Sequence, residues 1–233
     1  MEERINKFLS NAGVCSRREA DRLIEAGRVT IDSEPAVCGS KVCDGQKVFV
    51  DGKLITGDNN KVFIAFNKPK GVVCTTGDGQ GGISITDYIN YPVRIYPVGR
   101  LDKESTGLIF LTNEGELSDK ILRSGNGHEK EYQVTVDKAV TEEFISRMAR
   151  GVYLEELHRT TNPCVVERTG FKTFRIILTQ GLNRQIRRMC ATLGYSVVEL
   201  KRIRIMNVVL GDLKEGKYRE LTGEEYDKLV SQL

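Results

Sequence analysis

The residue with the clearest potential for chemistry is a single carboxylate in front of an apolar run. Asp102 lies in the short polar loop Gly99–Ser105, and the run Gly107–Leu111 is apolar enough to form a buried strand. Loops held by rigid core elements often carry functional groups. The spacing therefore predicts a carboxylate at the mouth of a core strand, although an aspartate at such a place is also typical of a turn or a cap.

A cluster of arginines supplies candidate partners for that carboxylate. On the predicted helix Asn183–Leu193, a rotation of about 100° per residue puts Arg184, Arg187 and Arg188 on one side. The opposite side is apolar and consists of Ile186, Met189, Cys190 and Leu193. Three like charges on one face repel each other, so they need an anionic partner. RNA phosphate, a buried carboxylate or both would serve; solvated surface arginines are the alternative.

An aromatic ring on a strand is the third candidate. Residues Lys130–Val136 alternate between apolar and polar, which predicts a half-buried strand with Tyr132 on the face of Val134 and Val136. The ring is therefore expected to pack in the core. A ring anchored in this way is also a rigid platform on which a planar ligand can stack.

The elements that position these residues form two predicted domains. Ser16 and Glu19 form a capping box that starts an amphipathic helix, and Gly27 is placed to end it. Short strands follow, two of them joined by the turn Asp51-Gly52. The polar stretch Gly57–Asn60 is typical of a linker. The predicted domains are therefore residues 1–57 and a larger α+β domain at residues 61–233.

Bulk composition excludes several classes of protein. The chain has 233 residues, 39% hydrophobic and 29% charged, which is ordinary for a folded domain. It has no apolar run of about 18 residues and no apolar segment behind a charged N-terminus, so we expect neither membrane insertion nor secretion but a cytoplasmic location. Six cysteines without a C-x-x-C pair and only two histidines argue against zinc and against a disulfide framework, which leaves buried or half-buried free thiols.

The distribution of charge is more informative than its total. The net charge is only +3, but between Lys172 and Arg204 the chain carries eight basic residues and a single acid, Glu199. A local excess of this kind is typical of a surface that binds phosphates. The N-terminal domain has no such excess, so its arginines bind RNA only if they are arranged on one side; a solvated helix face is the alternative.

Three motifs resemble those of one enzyme family. Gly99-Arg100-Leu101-Asp102, the strand Lys130-Glu131-Tyr132-Gln133-Val134 and the helix Gln185-Ile186-Arg187-Arg188-Met189 are similar to the pocket motifs of pseudouridine synthases of the small-subunit-A and large-subunit-B, E and F rRNA group. The stretch from Arg4 to Asp32 resembles an S4 domain. The resemblance extends to about Leu221 and is closest to the F type of this group. It implies an α+β fold, in which a small S4 (α-L) RNA-binding domain precedes a catalytic domain with a mixed, mainly antiparallel sheet.

The resemblance also implies roles for single residues. Asp102 is the catalytic carboxylate, Arg187 pairs with it, and Tyr132 stacks on the uracil and assists proton transfer at C5. Arg100 fills the space left by an extruded base or binds its phosphate, since chemistry on a stacked base requires extrusion. The other residues implied in substrate or RNA binding are Arg17, Arg18, Arg22, Lys130, Arg184, Arg188 and Leu200.

The function implied is isomerisation of a specific uridine, in 23S rRNA, to pseudouridine. Asp102 attacks either C6 of the uracil or C1′ of the ribose, and the base rejoins the sugar through C5. The reaction needs no cofactor and no metal, and we expect a monomer whose partner is rRNA, with no membrane. Two alternatives stay open: a non-catalytic S4-type assembly factor that binds RNA, and a phosphate-handling hydrolase built around the arginines.

Overall fold

The computed structural model describes residues 2–56, 61–75, 81–123 and 127–233. The chain divides into two compact units. The first comprises Met1–Val62 with the short segments Tyr91–Ile95 and Asn113–Gly115, and the second contains the rest of the chain. The predicted linker at residues 57–60 lies outside the described residues, so the boundary between residues 57 and 61 stays a prediction.

The first unit packs two helices against short strands. Its core is apolar and includes Ile5, Leu9, Leu23 and Val29. Its elements are β1 (Glu2–Arg4), α1 (Ile5–Asn11), α2 (Arg17–Glu25), β2 (Val29–Ile31), β3 (Glu34–Pro35), β4 (Lys41–Cys43), β5 (Val48–Val50) and β6 (Lys53–Leu54).

Local signals in the first unit behave largely as the sequence predicts. The Ser16 hydroxyl accepts a hydrogen bond from the backbone N–H of Glu19 at 3.2 Å and so caps α2. The other half of the predicted capping box is wrong, because the Glu19 carboxylate accepts from Arg22 at 3.1 Å instead. The hairpin β5–β6 is confirmed: Asp51 (φ +50°) and Gly52 (φ +74°) both have the left-handed backbone that a tight two-residue hairpin turn requires.

The second unit is built on one large sheet with helices. Its elements are β7 (Phe63–Lys68), α3 (Ile85–Ile89), β8 (Tyr96–Val98), β9 (Thr106–Thr112), α4 (Gly115–Leu122), β10 (Lys130–Val136), α5 (Glu142–Arg150), β11 (Tyr153–Leu154), a 3₁₀ turn (Glu155–Leu157), β12 (Arg159–Thr160), β13 (Val165–Arg168), β14 (Thr173–Leu178), α6 (Gln185–Thr192), β15 (Val197–Ile205), β16 (Val208–Val209), β17 (Tyr218–Glu220) and α7 (Gly223–Val230).

Strand order brings distant parts of the chain together. The sheet runs β13-β14-β10-β15-β9-β7-β17, with β16 paired to β15 and β8 to β9. The pairing of β9 with β15 is parallel, and the other pairs in this sheet are antiparallel. The mixed, mainly antiparallel sheet is therefore confirmed. Three neighbouring strands, β10, β15 and β9, carry or adjoin most of the predicted site residues of this unit.

Helices pack on this sheet through apolar faces. Phe144 and Met148 of α5 and Met189 of α6 pack with Phe174 of β14 in one cluster. Thr141 caps α5 by accepting from the N–H of Phe144 at 3.1 Å, as its position in the sequence predicts. A second apolar cluster joins β7 and β9 with α4 and α7. Burial of these faces fixes the three central strands and the loops at their ends.

The six cysteines are free thiols, but they are not all shielded. Cys74 and Cys190 are buried, and Cys15 and Cys164 are half-buried. The prediction of buried or half-buried thiols is wrong for Cys38 and Cys43, which are exposed. In the described part of the chain, no helix combines the length and the apolar character needed to cross a bilayer.

Candidate active site

The loop that carries Asp102 is held by several backbone contacts. Ser105 N–H donates to the Asp102 carbonyl at 3.0 Å and closes a turn, and Gly71 N–H donates to the Lys103 carbonyl at 2.9 Å. The Leu101 N–H donates to the sulfur of Cys74 at 3.4 Å. A loop fixed in this way, directly before β9, offers its carboxylate in a pre-set position.

A fully buried lysine also supports this loop. The side chain of Lys68, at the end of β7, is 0% exposed, and its Nζ donates to the carbonyls of Pro69 at 2.8 Å and Lys103 at 3.3 Å. Burial lowers the pKa of this amine below its usual range. The sequence pattern does not single out Lys68, because a charged residue near a strand end is normally expected at the surface.

Two arginines face the Asp102 carboxylate. Its Oδ2 lies 3.7 Å from Nε of Arg187 and 3.9 Å from Nη1 of Arg184. The Arg187 side chain is held by the Ser105 hydroxyl and the Val197 carbonyl, each at 3.4 Å, while its buried Nε has no hydrogen-bond partner within the described ranges. These distances are longer than a hydrogen bond.

The third predicted arginine has another partner. Arg184, Arg187 and Arg188 line one groove beside α6, as the predicted face implies. The guanidinium of Arg188, however, donates to Asn183 and forms an ion pair with Glu156. The structure therefore brings Arg184 and Arg187 to Asp102 but not Arg188, whose charge is matched by Glu156.

The helix behind these arginines starts later than predicted. It begins at Gln185 rather than Asn183, because Arg184 has left-handed backbone (φ +51°) and stands as the N-cap. Gln185 is 4% exposed; its side chain accepts from the N–H of Leu182 at 3.0 Å and donates to buried Gln180 at 3.2 Å. These buried amides lock the turn that aims Arg184 toward Asp102.

Tyr132 lies half-buried on β10, opposite Arg202 of β15. The pairing of these strands shifts register between Glu131 and Tyr132, so β15 has one extra residue, Ile203. Bulges of this kind redirect side chains near functional sites. The guanidinium carbon of Arg202 lies 6.0 Å from the centre of the Tyr132 ring.

A buried ion-pair cluster fixes β10 next to Tyr132. The Glu131 carboxylate is 7% exposed and accepts from Arg204 at 2.6 Å and from Arg175 at 3.1 Å. Burial alone would raise the pKa of Glu131, but the hydrogen bonds from the two arginines outweigh it and hold that pKa below its usual range. The cluster ties β10 to both of its neighbours, β14 and β15.

Two adjoining cavities converge on Asp102 and Tyr132. The smaller, about 90 Å³, is lined by Arg100, Asp102, Tyr132 and the buried Leu200. The larger cleft, about 440 Å³, is lined by Arg100, Asp102, Tyr132, Lys130, Arg184 and Arg202 among others. The two cavities therefore join six predicted residues of this unit to Arg202, which the sequence indicates only as part of the basic run.

The remaining predicted residues lie in the first unit. Arg17, Arg18 and Arg22 are exposed on α2, and Arg22 is paired with Glu19. Within the described residues, no group of three His, Cys, Asp or Glu side chains stands close enough to hold a metal ion. A cleft that offers a carboxylate, arginines and an aromatic ring suits a planar base attached to a phosphate chain.

Comparison with known proteins identifies the family. Residues 62–192 match the RNA pseudouridylate synthase family, and residues 3–36 match the S4 domain. The chain belongs to the RNA pseudouridylate synthase family. It is 53% identical over 224 residues to the "Dual-specificity RNA pseudouridine synthase RluF" of Salmonella typhi, covering 95% of this chain and 76% of that protein. It is 33% identical to the "Ribosomal large subunit pseudouridine synthase B" of Bacillus subtilis, covering 97% and 95%.

A solved structure supports the same assignment. The crystal structure of a pseudouridylate synthase superposes with a TM-score of 0.72 at 31% identity, covering 97% of this chain and 99% of that one. The protein is thus an RNA pseudouridine synthase, an isomerase with an N-terminal S4 domain that acts on RNA. Membership of the pseudouridine synthases excludes the two alternative functions, an assembly factor without catalysis and a hydrolase.

Proposed function

We propose that this synthase isomerises a uridine of 23S rRNA with Asp102 as its nucleophile. The observation that carries the proposal is the position of Asp102: a carboxylate on a fixed loop, in a cleft that it shares with Tyr132, with Arg184 and Arg187 facing it. The assignment to 23S rRNA follows the name of the Bacillus subtilis relative, which refers to the large ribosomal subunit. A monomer, a cytoplasmic location and a reaction without cofactor belong to the same proposal.

The proposed reaction conserves every atom of the nucleotide. The Asp102 carboxylate attacks C6 of the uracil or C1′ of the ribose, and the bond between N1 and C1′ breaks. The freed base turns, C5 bonds to C1′, and the enzyme–substrate bond opens. Loss of the proton from C5 restores the ring, and N1 gains a proton. Tyr132, or a water that it orients, takes the C5 proton.

The two arginines hold the nucleophile in place. Their guanidiniums lie 3.7 and 3.9 Å from Oδ2 of Asp102 and attract the carboxylate. Arg187 is anchored to Ser105 and Val197 and only 15% exposed, so it is the fixed partner, whereas Arg184 is 51% exposed. We assign Arg187 to orientation of Asp102, and Arg184 and Arg188 to contacts with the RNA.

The target base must leave the RNA stack to reach Asp102. Extrusion costs roughly a few kcal/mol and is repaid by contacts in the pocket. Exposed Arg100, two residues before Asp102, is placed to fill the space left in the stack or to bind the phosphate of the flipped nucleotide. Buried Leu200 forms the apolar wall of the smaller cavity.

Mapping of pseudouridines tests the substrate. Total RNA from a strain that lacks this protein should miss at least one pseudouridine in 23S rRNA, and the purified enzyme should restore it in vitro on that RNA. Asp102→Asn protein serves as the inactive control. An unchanged 23S map, with a site lost from another RNA instead, would refute the 23S assignment while leaving the isomerase intact.

Arginines of the S4 domain are expected to add affinity rather than catalysis. In the variant Arg17→Gln/Arg18→Gln, RNA binding should weaken, and the slope of log K against log salt should fall by about 1 to 2, since each lost phosphate contact removes about 0.7–0.9. The rate at which bound RNA is isomerised should not change. The matched control is Arg147→Gln/Arg150→Gln, two arginines of exposed positions in α5. Equal salt slopes for wild type and the S4 variant would mean that these arginines are merely solvated.

A further inference from the structure

Two cations in the larger cleft have no anionic partner among the residues that the structure describes. Lys130 on β10 and Arg202 on β15 both line it. Arg202 is 4% exposed; its Nε donates to the carbonyl of Leu108 at 2.6 Å, and its buried Nη2 finds no hydrogen-bond partner in the described part of the chain. Lys130 Nζ donates to the carbonyl of His128 at 3.1 Å. Across residues 2–56, 61–75, 81–123 and 127–233, no Asp or Glu forms an ion pair with either cation.

This arrangement is unfavourable unless a ligand completes it. Burial of a charge without a partner costs several kcal/mol, and buried charges are therefore normally paired. Burial, followed by the positive charge of Arg202, lowers the pKa of the Lys130 amine. The carboxylate that lines this cleft, Asp102, already faces Arg184 and Arg187. The cleft thus holds positive charge that its own side chains leave unmatched.

We propose that Lys130 and Arg202 form a subsite for one RNA backbone phosphate next to the target uridine. Lys130, which is partly exposed, makes the direct contact, and Arg202 adds charge from its buried position. A phosphate carries the missing negative charge, and its oxygens accept hydrogen bonds from cations. Tyr132 lies on the same strand face as Lys130, two residues further on, so a base stacked on its ring brings a flanking phosphate into this part of the cleft.

The inference rests on the proposed function, because it takes the occupant to be RNA. Two alternative roles for the pair predict different results. Lys130 could serve only to hold the His128 carbonyl, in which case its effect on activity would not depend on any phosphate. Alternatively, the pair could bind a free anion, in which case inorganic phosphate would replace the RNA contact.

A chemical double-mutant cycle separates these roles. Each RNA substrate carries one neutral methylphosphonate, next to a 2′-O-methyl sugar, at a single linkage near the target uridine. Its control is an RNA with the same 2′-O-methyl sugar and a native phosphate at that linkage. For wild-type enzyme we expect one linkage at which neutralisation lowers kcat/KM by about 10- to 100-fold. Lys130→Gln should lose about as much on native RNA, and neutralisation of that linkage should then cost far less than it costs the wild type, because only the charge of Arg202 remains. If the loss caused by Lys130→Gln and the loss caused by the neutral linkage multiplied, the proposed subsite would be wrong.

Further variants keep the test decisive. Lys130→Arg retains the charge and should stay sensitive to the methylphosphonate. Lys228→Gln, at an exposed position of α7, loses the same charge and should match wild type. Restoration of activity on the neutralised RNA by inorganic phosphate would reassign the pair to a free anion and overturn the proposal.

Binding measurements make the outcome independent of chemistry. The same cycle, read as equilibrium binding in an Asp102→Asn background, requires no turnover. If wild type proves inactive on 23S rRNA, the substrate proposal fails, but the binding cycle on any RNA that is bound still decides whether Lys130 contacts a phosphate. Additive binding losses at every linkage would refute the subsite alone.

Discussion

Asp102→Asn is expected to abolish isomerisation, lowering kcat by at least about 10⁴-fold. The amide has the size of the carboxylate but no negative charge, so it cannot form the bond to uracil or ribose that the proposed reaction requires. The loop should keep its conformation, because its hydrogen bonds involve the backbone of Leu101, Asp102 and Lys103 rather than the Asp102 side chain. RNA binding should persist, since the basic residues of the cleft remain.

Release of tritium from RNA labelled at uracil C5 measures this reaction directly, and filter binding and a thermal melt accompany it. Glu104→Gln is the matched control, because it removes an exposed carboxylate of the same loop that pairs with Lys70. It should release tritium at the wild-type rate. If Asp102→Asn released tritium within about tenfold of wild type, Asp102 would not be the nucleophile, and another group in the cleft would have to be sought.

Local sequence patterns were sufficient to predict the separate elements of this site. The alternation of apolar and polar residues predicted β10, which carries Tyr132, and the apolar run after Asp102 predicted β9. Both predictions succeed because the period and the burial of a strand depend on residues close together in the sequence. The cap of α5 by Thr141 and the capping box of α7 by Thr222 and Glu225 likewise depend on residues close together in the sequence. In these cases the interactions that decide the structure lie within a few residues of each other.

Contacts between distant segments could not be predicted from such local patterns. The parallel pairing of Arg202 with Gly107 joins residues far apart in the chain, and nothing in either segment indicates it. Buried Lys68 and Arg202 carry charges, which the hydropathy pattern places at the surface. The left-handed backbone of Arg184 makes α6 begin at Gln185, two residues later than predicted. The resemblance to a known family, rather than periodicity, associated Asp102 with Arg187.

Gly107→Ala is expected to destabilise the second unit by about 4 kcal/mol. Gly107 has φ +101°, and a Cβ there would lie 2.2 Å from the Arg202 carbonyl oxygen and 2.7 Å from its nitrogen. A strained backbone costs about 1–3 kcal/mol and overpacking about the same again. β15 would have to move away from β9, with loss of the 2.6 Å bond from Arg202 to Leu108. Scanning calorimetry should show a melting point about 10 °C lower.

A second glycine separates the cost of the strained backbone from the cost of the steric overlap. Gly194 also has positive φ, +81°, but nothing lies within 4 Å of the Cβ that alanine would add. Gly194→Ala should therefore show the backbone cost alone, about 1 kcal/mol. If the two variants melted at the same temperature, close contact between β9 and β15 would not be the reason for glycine at position 107. A larger loss in Gly107→Ala, with a matching fall in kcat, means instead that this contact sets the distance between the Asp102 loop and the strand that faces Tyr132.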